Sequence, residues 1–490
     1  MTQHFSNFWQ KKPALYYGLA ILFGISMALK FAWIVLIPLA LTAFSNNLLK
    51  TILFVVLFIT ACTYTHLIYQ FPNVSAEGIQ GRASIEIASV RLKKTFYGKQ
   101  WSYRGRIKTF DDIAKNIDFT LNLPYDEKII RPPANQDYEL VATLKTTQNN
   151  NYYLKVSKNT PWKPIPYTYS FAEWRYQMKT ALTSYIKQHY PNTRAASFLS
   201  GIATGEFDDR TMSQEFAQFG LQHIMAISGF HFAIIASILS SILKFILPKR
   251  QKILILMTLL SAYFLFLGSG PSIMRAWIAI FLALVAMWIG RQSSGLNSLG
   301  FALIAVLIFD PLLSMHMGFQ FSFITTAAIL LLYGLLDHLN KKLLYHRPLA
   351  ITSTMTKKDQ HAYCMLTTLR QAFSLAMAVN LVALPMTLYY FQSFPFLSLI
   401  YNLFFPFLVS FSMLLLLLGF VIPGLDFINV HYTSFILNFT HQMPNKINFL
   451  LEFSHISADL LIFYLTIVFA VGIFCQSLIS KQASTDFVYL

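Results

Sequence analysis

Long apolar runs restrict the fold of this sequence more than any other feature. Eleven of them are present, and 55% of the 490 residues are hydrophobic while only 12% are charged. The runs cover residues 14–29, 31–44, 52–69, 223–247, 253–267, 276–289, 298–309, 319–336, 366–391, 394–422 and 460–479. A helix crosses a bilayer with about 20 apolar residues, and soluble domains carry about 25% charged residues. The sequence therefore predicts a polytopic α-helical membrane protein.

One segment, residues 71–175, differs from the rest because it is rich in charge. It holds 16 of the 38 lysines and arginines and 10 of the 21 acidic residues. Apolar residues alternate with a period of two at 117–123, 138–144 and 152–156, and less cleanly at 85–92 and 101–107. About five short strands predict a small inserted β-barrel, for which an OB-like fold, an SH3-like barrel and a small sandwich are the candidates.

A helical pattern follows this segment. Apolar residues recur every three or four positions as an amphipathic stripe: Phe171, Trp174, Met178, Leu182 and Ile186. We expect such helices to lie at the membrane surface.

The basic connections between the later runs predict the orientation. Lysines and arginines cluster at 244–252, at 291 and at 341–370, two passes apart, so all three clusters lie on one side, the cytoplasmic side. Counting membrane passes back from this side places residues 71–175 outside the membrane. Three initial passes that start from Lys11 and Lys12 on the cytoplasmic side give the same result. We expect the N-terminus to be a retained anchor. The amphipathic segment 426–455 leaves the side of the C-terminus open.

The sequence carries no sign of a cofactor or a metal. Its three cysteines, Cys62, Cys364 and Cys475, lie far apart and predict no disulfide framework. We find no Walker A motif, no dinucleotide-binding glycine motif, no HExxH and no His-Asp-His cluster. Neither an ATPase nor a metal nuclease is indicated.

The most unusual segment is residues 220–231, where His223, Ser228, Gly229 and His231 lie at or inside an apolar run. Polar groups at membrane depth are costly and tend to face a cavity or a partner. Bracing of an interfacial helix and lining of a pathway fit this spacing equally well. Ser228 and His231 also suggest a nucleophile and base, but only Glu215 supplies a carboxylate nearby and no GxSxG motif is present, so we expect no enzyme.

Other polar residues interrupt the later runs. Arg275 opens a helix after the turn-rich segment 268–272, where its charge needs an anionic partner such as a phosphate. Gln320 and Ser322 lie in an aromatic setting after Asp310-Pro311. Asn380, Pro385, Asn402 and Pro406 predict broken helices, which often mark a substrate route.

In the charged segment, basic residues are interleaved with aromatic residues. Those we single out are Lys93, Lys94, Trp101, Tyr103, Arg104 and Arg106. Cations follow phosphates and aromatic rings stack on bases, which is the chemistry of single-strand binding. An ordinary solvated basic face is an equally good interpretation.

These motifs, in this order, resemble the ComEC family of competence proteins. The resemblance covers residues 170–425 and rests on the 220–231 segment, on Pro271 to Arg275, on Asp310-Pro311 with Gly318 to Phe323, and on Leu384-Pro385 with Asn402. It implies an inner-membrane channel that passes one DNA strand into the cytoplasm. An outer DNA receptor and cytoplasmic motor or recombination proteins are the implied partners, besides membrane lipid.

Many family members carry a metallo-β-lactamase-like domain, whose His-x-His-x-Asp-His pattern is missing here, so we expect a short form and a separate nuclease. The signature positions matched are His223, Ser228, Gly229, His231, Arg275, Gln320, Ser322 and Asn402. The predicted domains are N-terminal transmembrane helices (1–70), an extracytoplasmic OB-like β domain (71–169), amphipathic interfacial helices (170–220), a competence-type channel domain (221–425), and an amphipathic segment with a C-terminal transmembrane helix (426–490). The alternative function is secondary transport of a small solute, which also uses broken helices.

Overall fold

A computed structural model describes residues 2–30, 48–72, 74, 77–95, 98–111, 113–126, 131–146, 152–156, 160–207, 209–225, 229–291, 294–341, 347, 349–442, 450–452 and 456–486. The second apolar run (31–44) and Ser228 lie outside these residues. The chain forms two compact units. One comprises residues 63–210 and 265–268, and the other comprises residues 1–62, 211–264 and 269–490.

The first unit, here the strand unit, contains a six-stranded sheet. Its strands are β1 (Ile79–Thr95), β2 (Gly98–Phe110), β3 (Ala114–Pro124), β4 (Tyr138–Thr146), β5 (Tyr152–Lys155) and β6 (Lys163–Pro164). β1 pairs with β2 and also with β4, β2 pairs with β3, and β5 joins β3 in parallel and β4 antiparallel. β6 adds to β4. The expected strand-rich domain is confirmed.

The period-two pattern explains the core of this sheet. Ile117, Phe119 and Leu121 of β3 are buried, as are the alternate residues of β4 from Tyr138 to Leu144. Neighbouring side chains of a strand point to opposite faces, so these residues share the inner face. Their partners on β1 and β2 are Ile85, Ile87, Val90, Tyr103, Ile107 and Phe110.

Two helices complete the strand unit, α4 (Ala172–His189) and α5 (Thr193–Thr204). The predicted helical pattern corresponds to α4, and its placement at the membrane surface stays a prediction. Phe171, Trp174 and Met178 are exposed, whereas the buried residues of α4 are Ala172, Lys179 and Ile186. Lys179 turns inward because its ammonium donates to Glu206 Oε1 and to the carbonyl of Leu267, each at 3.0 Å.

The second unit, here the helical unit, consists mainly of helices. Before the strand unit lie α1 (Thr2–Lys11), α2 (Pro13–Lys30) and α3 (Leu48–Ile68). After it come α6 (Arg210–Gln218), α7 (Gln222–Met225), α8 (Gly229–Leu243), α9 (Lys249–Leu267), α10 (Pro271–Ile289), α11 (Gly295–Phe309), α12 (Met317–Asn340), α13 (Leu349–Thr354), α14 (Lys357–Phe391), α15 (Ser398–Gly419), α16 (Leu425–Gln442) and α17 (Ala458–Asp486). A two-stranded ladder joins β7 (Ser393–Pro395) to β8 (Leu450–Glu452).

Seven of the described helices are long and apolar enough to cross a membrane. They are Leu48–Ile68, Lys249–Leu267, Pro271–Ile289, Met317–Asn340, Lys357–Phe391, Ser398–Gly419 and Ala458–Gln476. An eighth arises if α1 and α2, which meet at a 102° bend, count as one span. The prediction of a polytopic helical membrane protein is confirmed.

The expectation of broken helices at Pro385 and Pro406 is wrong. Both prolines lie inside continuous helices, Pro385 in α14 and Pro406 in α15. A proline removes the hydrogen bond to the carbonyl four residues earlier, which for Pro385 is that of Leu381. The Tyr464 hydroxyl donates to this carbonyl at 3.0 Å, so the freed acceptor is satisfied by a neighbouring helix.

Candidate functional site

Arg275 is the centre of the polar cluster in the helical unit. It is the fifth residue of α10, and its Nε donates to Ser322 Oγ of α12 at 2.6 Å. Gly229, the first residue of α8, lies against the same guanidinium: a Cβ added there would be 2.9 Å from Nη2. Three predicted signature residues on three helices are therefore brought together.

The starts of α10 and α12 are also joined directly. Ser272 Oγ donates to the carbonyl of Gly318 at 3.2 Å. Four residues after Gly318 comes Ser322, the partner of Arg275. The first turns of the two helices are therefore in contact with each other, about one turn before Arg275 and Ser322.

The charge on Arg275 is not neutralised by an acidic side chain in the part of the chain that the structure describes. Its hydrogen-bond partner is a hydroxyl, and the guanidinium is only partly exposed. A cation without a carboxylate partner at a half-buried position favours an anionic ligand.

Gln320 belongs to a neighbouring network that the sequence did not fully reveal. Its amide Nε2 donates to the carbonyl of Ser314 at 3.0 Å, and its Oε1 accepts from the hydroxyl of Tyr390. The amide therefore fixes the turn before α12 and ties it to α14. Tyr390 was missed because an aromatic residue in an apolar run carries no distinguishing sequence signal.

The remaining signature residues lie elsewhere in the helical unit. His231 is buried on α8 and interacts electrostatically with the exposed His223 of α7. Asn402 lies on α15, where its Oδ1 is buried without a hydrogen-bond partner in the described structure. No described hydrogen bond joins His223, His231 or Asn402 to Arg275. Ser228 lies outside the described residues, so its proposed part in a nucleophile pair is not tested.

In the strand unit, the two aromatic candidates have structural roles. Tyr103 is fully buried, and its hydroxyl donates to the carbonyl of Pro132 at 2.7 Å. Burial raises the pKa of Tyr103 to about 12. Trp101 is half-buried. The Arg131 guanidinium lies over the Trp101 ring, 4.6 Å from the ring centroid, and the Tyr176 ring lies beside it. Neither ring is free to stack on a base.

The basic candidates divide into paired and unpaired residues. Arg106 lies 3.4 Å from Asp118. Burial lowers the pKa of Lys93, and the nearby cations Arg104, Arg91 and Arg210 lower it further. Burial and Arg91 likewise lower the pKa of Arg104. The side chain of Lys94 is outside the described structure.

Arg91 and Arg210 join this basic cluster, and neither was among the singled-out residues. Arg91 Nε lies 3.1 Å from Glu206, which also binds Lys179. Arg210 lies far from Lys93 in the sequence, so no local pattern could have linked them. Among the described residues, no group of three His, Cys, Asp or Glu side chains is placed to hold a metal ion.

Comparison with known proteins identifies the family. The model of the "Competence protein" family matches residues 204–479, which is more than half of the chain. ComE operon protein 3 of Bacillus subtilis (strain 168) is 24% identical over 189 residues, which are 38% of this chain and 21% of that protein. The chain thus matches about a fifth of the length of this relative, and no solved structure matches it significantly. With its multiple candidate membrane-spanning helices and the family match across the Arg275 cluster, the chain belongs to the ComEC family of competence proteins.

Proposed function

We propose that this chain is an inner-membrane channel that passes single-stranded DNA into the cytoplasm during natural transformation. The observation that carries the proposal is the Arg275 guanidinium, held by Ser322 and pressed against Gly229 without an acidic partner in the described structure. A conducting site for a polyanion needs cationic contacts that bind and release each phosphate. One arginine with adjacent helix starts fits this requirement.

We propose that the strand unit is an OB-like barrel outside the inner membrane that receives the strand. The closed set of pairings supports this proposal, because the order β1-β2-β3-β5-β4 returns to β1. On its outer surface, Lys93 and Arg104 would follow the phosphates, together with Arg91 and Arg210. Binding there would be electrostatic rather than by base stacking, because Trp101 and Tyr103 are occupied.

The proposal assigns the remaining tasks to other proteins. We attribute no catalytic step to this chain, so strand degradation would need a separate nuclease. An outer DNA receptor would deliver the strand, and cytoplasmic motor or recombination proteins would take it up. The division into domains at residues 70, 169, 220 and 425 is part of the same proposal.

The first experiment tests Arg275 by uptake of labelled DNA into the DNase-protected cytoplasm. A hydrogen-bonded charged group is worth about 1.5–3 kcal/mol, and about 1.4 kcal/mol is tenfold, so Arg275→Ala should lower uptake by about tenfold or more. Arg275→Lys should keep part of the activity, and Arg291→Ala, an exposed arginine beyond the end of α10, should behave as wild type. Normal uptake by an Arg275→Ala protein present in the membrane would contradict the proposal.

The second experiment tests the strand unit by binding of a single-stranded oligonucleotide to the purified full chain at several salt concentrations. Each phosphate contact contributes about 0.7 to the salt slope for single strands, so the double variant Lys93→Ala/Arg104→Ala should lower it by about 1.4. Lys163→Ala, an exposed lysine of β6, is the control. An unchanged slope in the double variant would remove these residues from the proposed path.

A further inference from the structure

The helices α15 and α16 form an antiparallel hairpin, with contacts between residues 401–412 and 429–439. Near the turn between them, Ser412 Oγ lies 3.1 Å from Asn429 Oδ1 and 2.8 Å from Thr433 Oγ1. Farther along, the Tyr432 hydroxyl donates to the carbonyl of Leu408 at 3.0 Å. At the far end, the Phe439 ring lies 6.1 Å from that of Phe405 and 6.5 Å from that of Tyr401. Residues of α16 from Asn429 to Phe439 therefore contact successively earlier residues of α15, from Ser412 back to Tyr401.

The exposed face of α16 is mostly apolar, and its buried face contains polar side chains beside Val430, Ile436 and Leu437. Phe427, Ile428, Phe435 and Phe439 are exposed, with Phe427 at 70% and Phe435 at 68%. Asn429, Thr433 and Thr440 are buried at 0%, 0% and 3%. Of the exposed polar residues, His431 bonds its Nδ1 to the Phe427 carbonyl, and Asn438 and His441 lie near the end of the helix. A helix in water shows the opposite arrangement, whereas lipid accepts apolar side chains and leaves polar groups to pair internally.

Both ends of the hairpin are tied to the same place. β7, which precedes α15, pairs with β8, which follows α16, through Ser393 to Glu452, Phe394 to Leu451 and Pro395 to Leu450. His441, at the end of α16, bonds to Glu215 at 2.9 Å. Gly220, just after α6, lies against Pro395 and Ser398 at the start of α15. The start of α15 and the end of α16 are therefore on the same side of the membrane.

We infer that α16 crosses the membrane, although its composition excludes it from the seven candidate spans, and that α17 therefore ends on the side of the basic connections. α15 is a span of 22 residues, so the turn between Gly419 and Leu425 lies opposite β7. α16 returns the chain to β7 and β8, and α17 crosses again. The buried Asn429 and Thr433 lower the hydropathy of α16 but are satisfied within the hairpin.

A helix α16 lying flat on the basic side does not fit the chain length. Eight residue steps separate Gln442 from Leu450, and an extended chain covers at most about 3.6 Å per residue, or about 29 Å. The hydrocarbon core alone is about 30 Å thick, and it does not tolerate extended backbone exposed to lipid. The return path must therefore be α16 itself.

Cysteine labelling in intact spheroplasts tests the inference without relying on DNA transport. In a full chain lacking Cys62, Cys364 and Cys475, single cysteines are introduced and probed with a membrane-impermeant maleimide. Arg250→Cys marks the basic side, and Phe396→Cys, beside β7, marks the opposite side. The test positions are Val421→Cys in the turn, Ala458→Cys at the start of α17 and Lys481→Cys near its end.

We expect Val421→Cys and Lys481→Cys to label as Arg250→Cys does, and Ala458→Cys to label as Phe396→Cys does. Labelling of Val421→Cys and Ala458→Cys from one side would overturn the inference, whatever the outcome of the uptake experiments. Because a cysteine variant could fail to fold, reporter fusions after Gly424 and after Ser457 provide a second measurement. Phosphatase activity in both fusions, or in neither, would also overturn the inference.

Discussion

Gly229 shows how one missing side chain positions a functional group. Because a Cβ there would come within 2.9 Å of Arg275 Nη2, Gly229→Ala should displace the guanidinium from Ser322. Loss of this hydrogen bond corresponds to about tenfold lower DNA uptake. Gly334→Ala is a matched control in α12, where a Cβ would meet no atom within 4 Å. Equal uptake by the two variants would contradict this role for Gly229.

Trp101 and Tyr103 show what a composition-based prediction misses at the residue level. Both were selected because they are aromatic residues among cations. The period-two pattern contained the necessary information, because Trp101, Tyr103 and Ile107 share the inner face of β2 while Arg104 and Arg106 share the outer face. The period-two pattern therefore assigns Arg104 and Arg106 to the outer face and Trp101 and Tyr103 to the core.

The ion pair of Arg131 and Glu173 anchors α4 in the strand unit and predicts a pH dependence. Two hydrogen bonds of 2.9 and 2.6 Å join the side chains, and the Ala134 amide donates to the same carboxylate. Burial alone would raise the pKa of Glu173, but these bonds outweigh it and hold the pKa below 4.5. The unfolded chain therefore binds more protons just below pH 4.5, and stability falls as the pH drops through this range.

Glu173→Gln tests this ion pair. At pH 7 the variant leaves Arg131 without a carboxylate partner and should lose about 1.5–3 kcal/mol of stability. Its deficit relative to wild type should shrink below pH 4.5, where wild type loses its ionised carboxylate. Thermal unfolding of the purified full chain, followed by tryptophan fluorescence from pH 7 to pH 3, measures the difference. A deficit that stays constant over this range would refute the assignment.

The contact of α2 with α11 depends on Gly300. A Cβ there would overlap the backbone nitrogen of Leu15 and the carbonyl carbon of Ala14. Since backbone atoms cannot move aside as a side chain can, Gly300→Ala should separate the helices and cost at least about 1–3 kcal/mol. We expect a several-fold lower amount of folded protein in the membrane than for Gly334→Ala. Similar amounts of the two variants would argue against this close packing.

Sequence patterns predicted the positions of helices and strands better than which of their side chains are buried. The strands of 117–123 and 138–144 followed directly from alternation, because one buried face forces a period of two. The inward turn of Lys179 in α4 was not predictable, since it depends on Glu206 and on the end of α9. Pro385 was misleading for a similar reason, because Tyr464 on another helix completes the bonding that the proline removes.

At the scale of the whole molecule, the sequence identified the family but not the arrangement of its site. Family membership was indicated by short contiguous sequence motifs, such as those at residues 220–231 and 271–275. The meeting of Gly229, Arg275 and Ser322 depends on three helices that are up to 93 residues apart, and only the structure joins them. The C-terminal topology likewise rests on the β7–β8 ladder, which no local pattern indicated.

The most direct test of the channel proposal is the uptake of labelled DNA into the DNase-protected cytoplasm of cells that lack this protein, with and without complementation by the wild-type chain. We expect cytoplasmic uptake to vanish in the deletion while DNA still accumulates outside the inner membrane, and to return with the wild-type chain. Unchanged cytoplasmic uptake in the deletion would contradict the DNA channel and would make transport of a small solute the function to test.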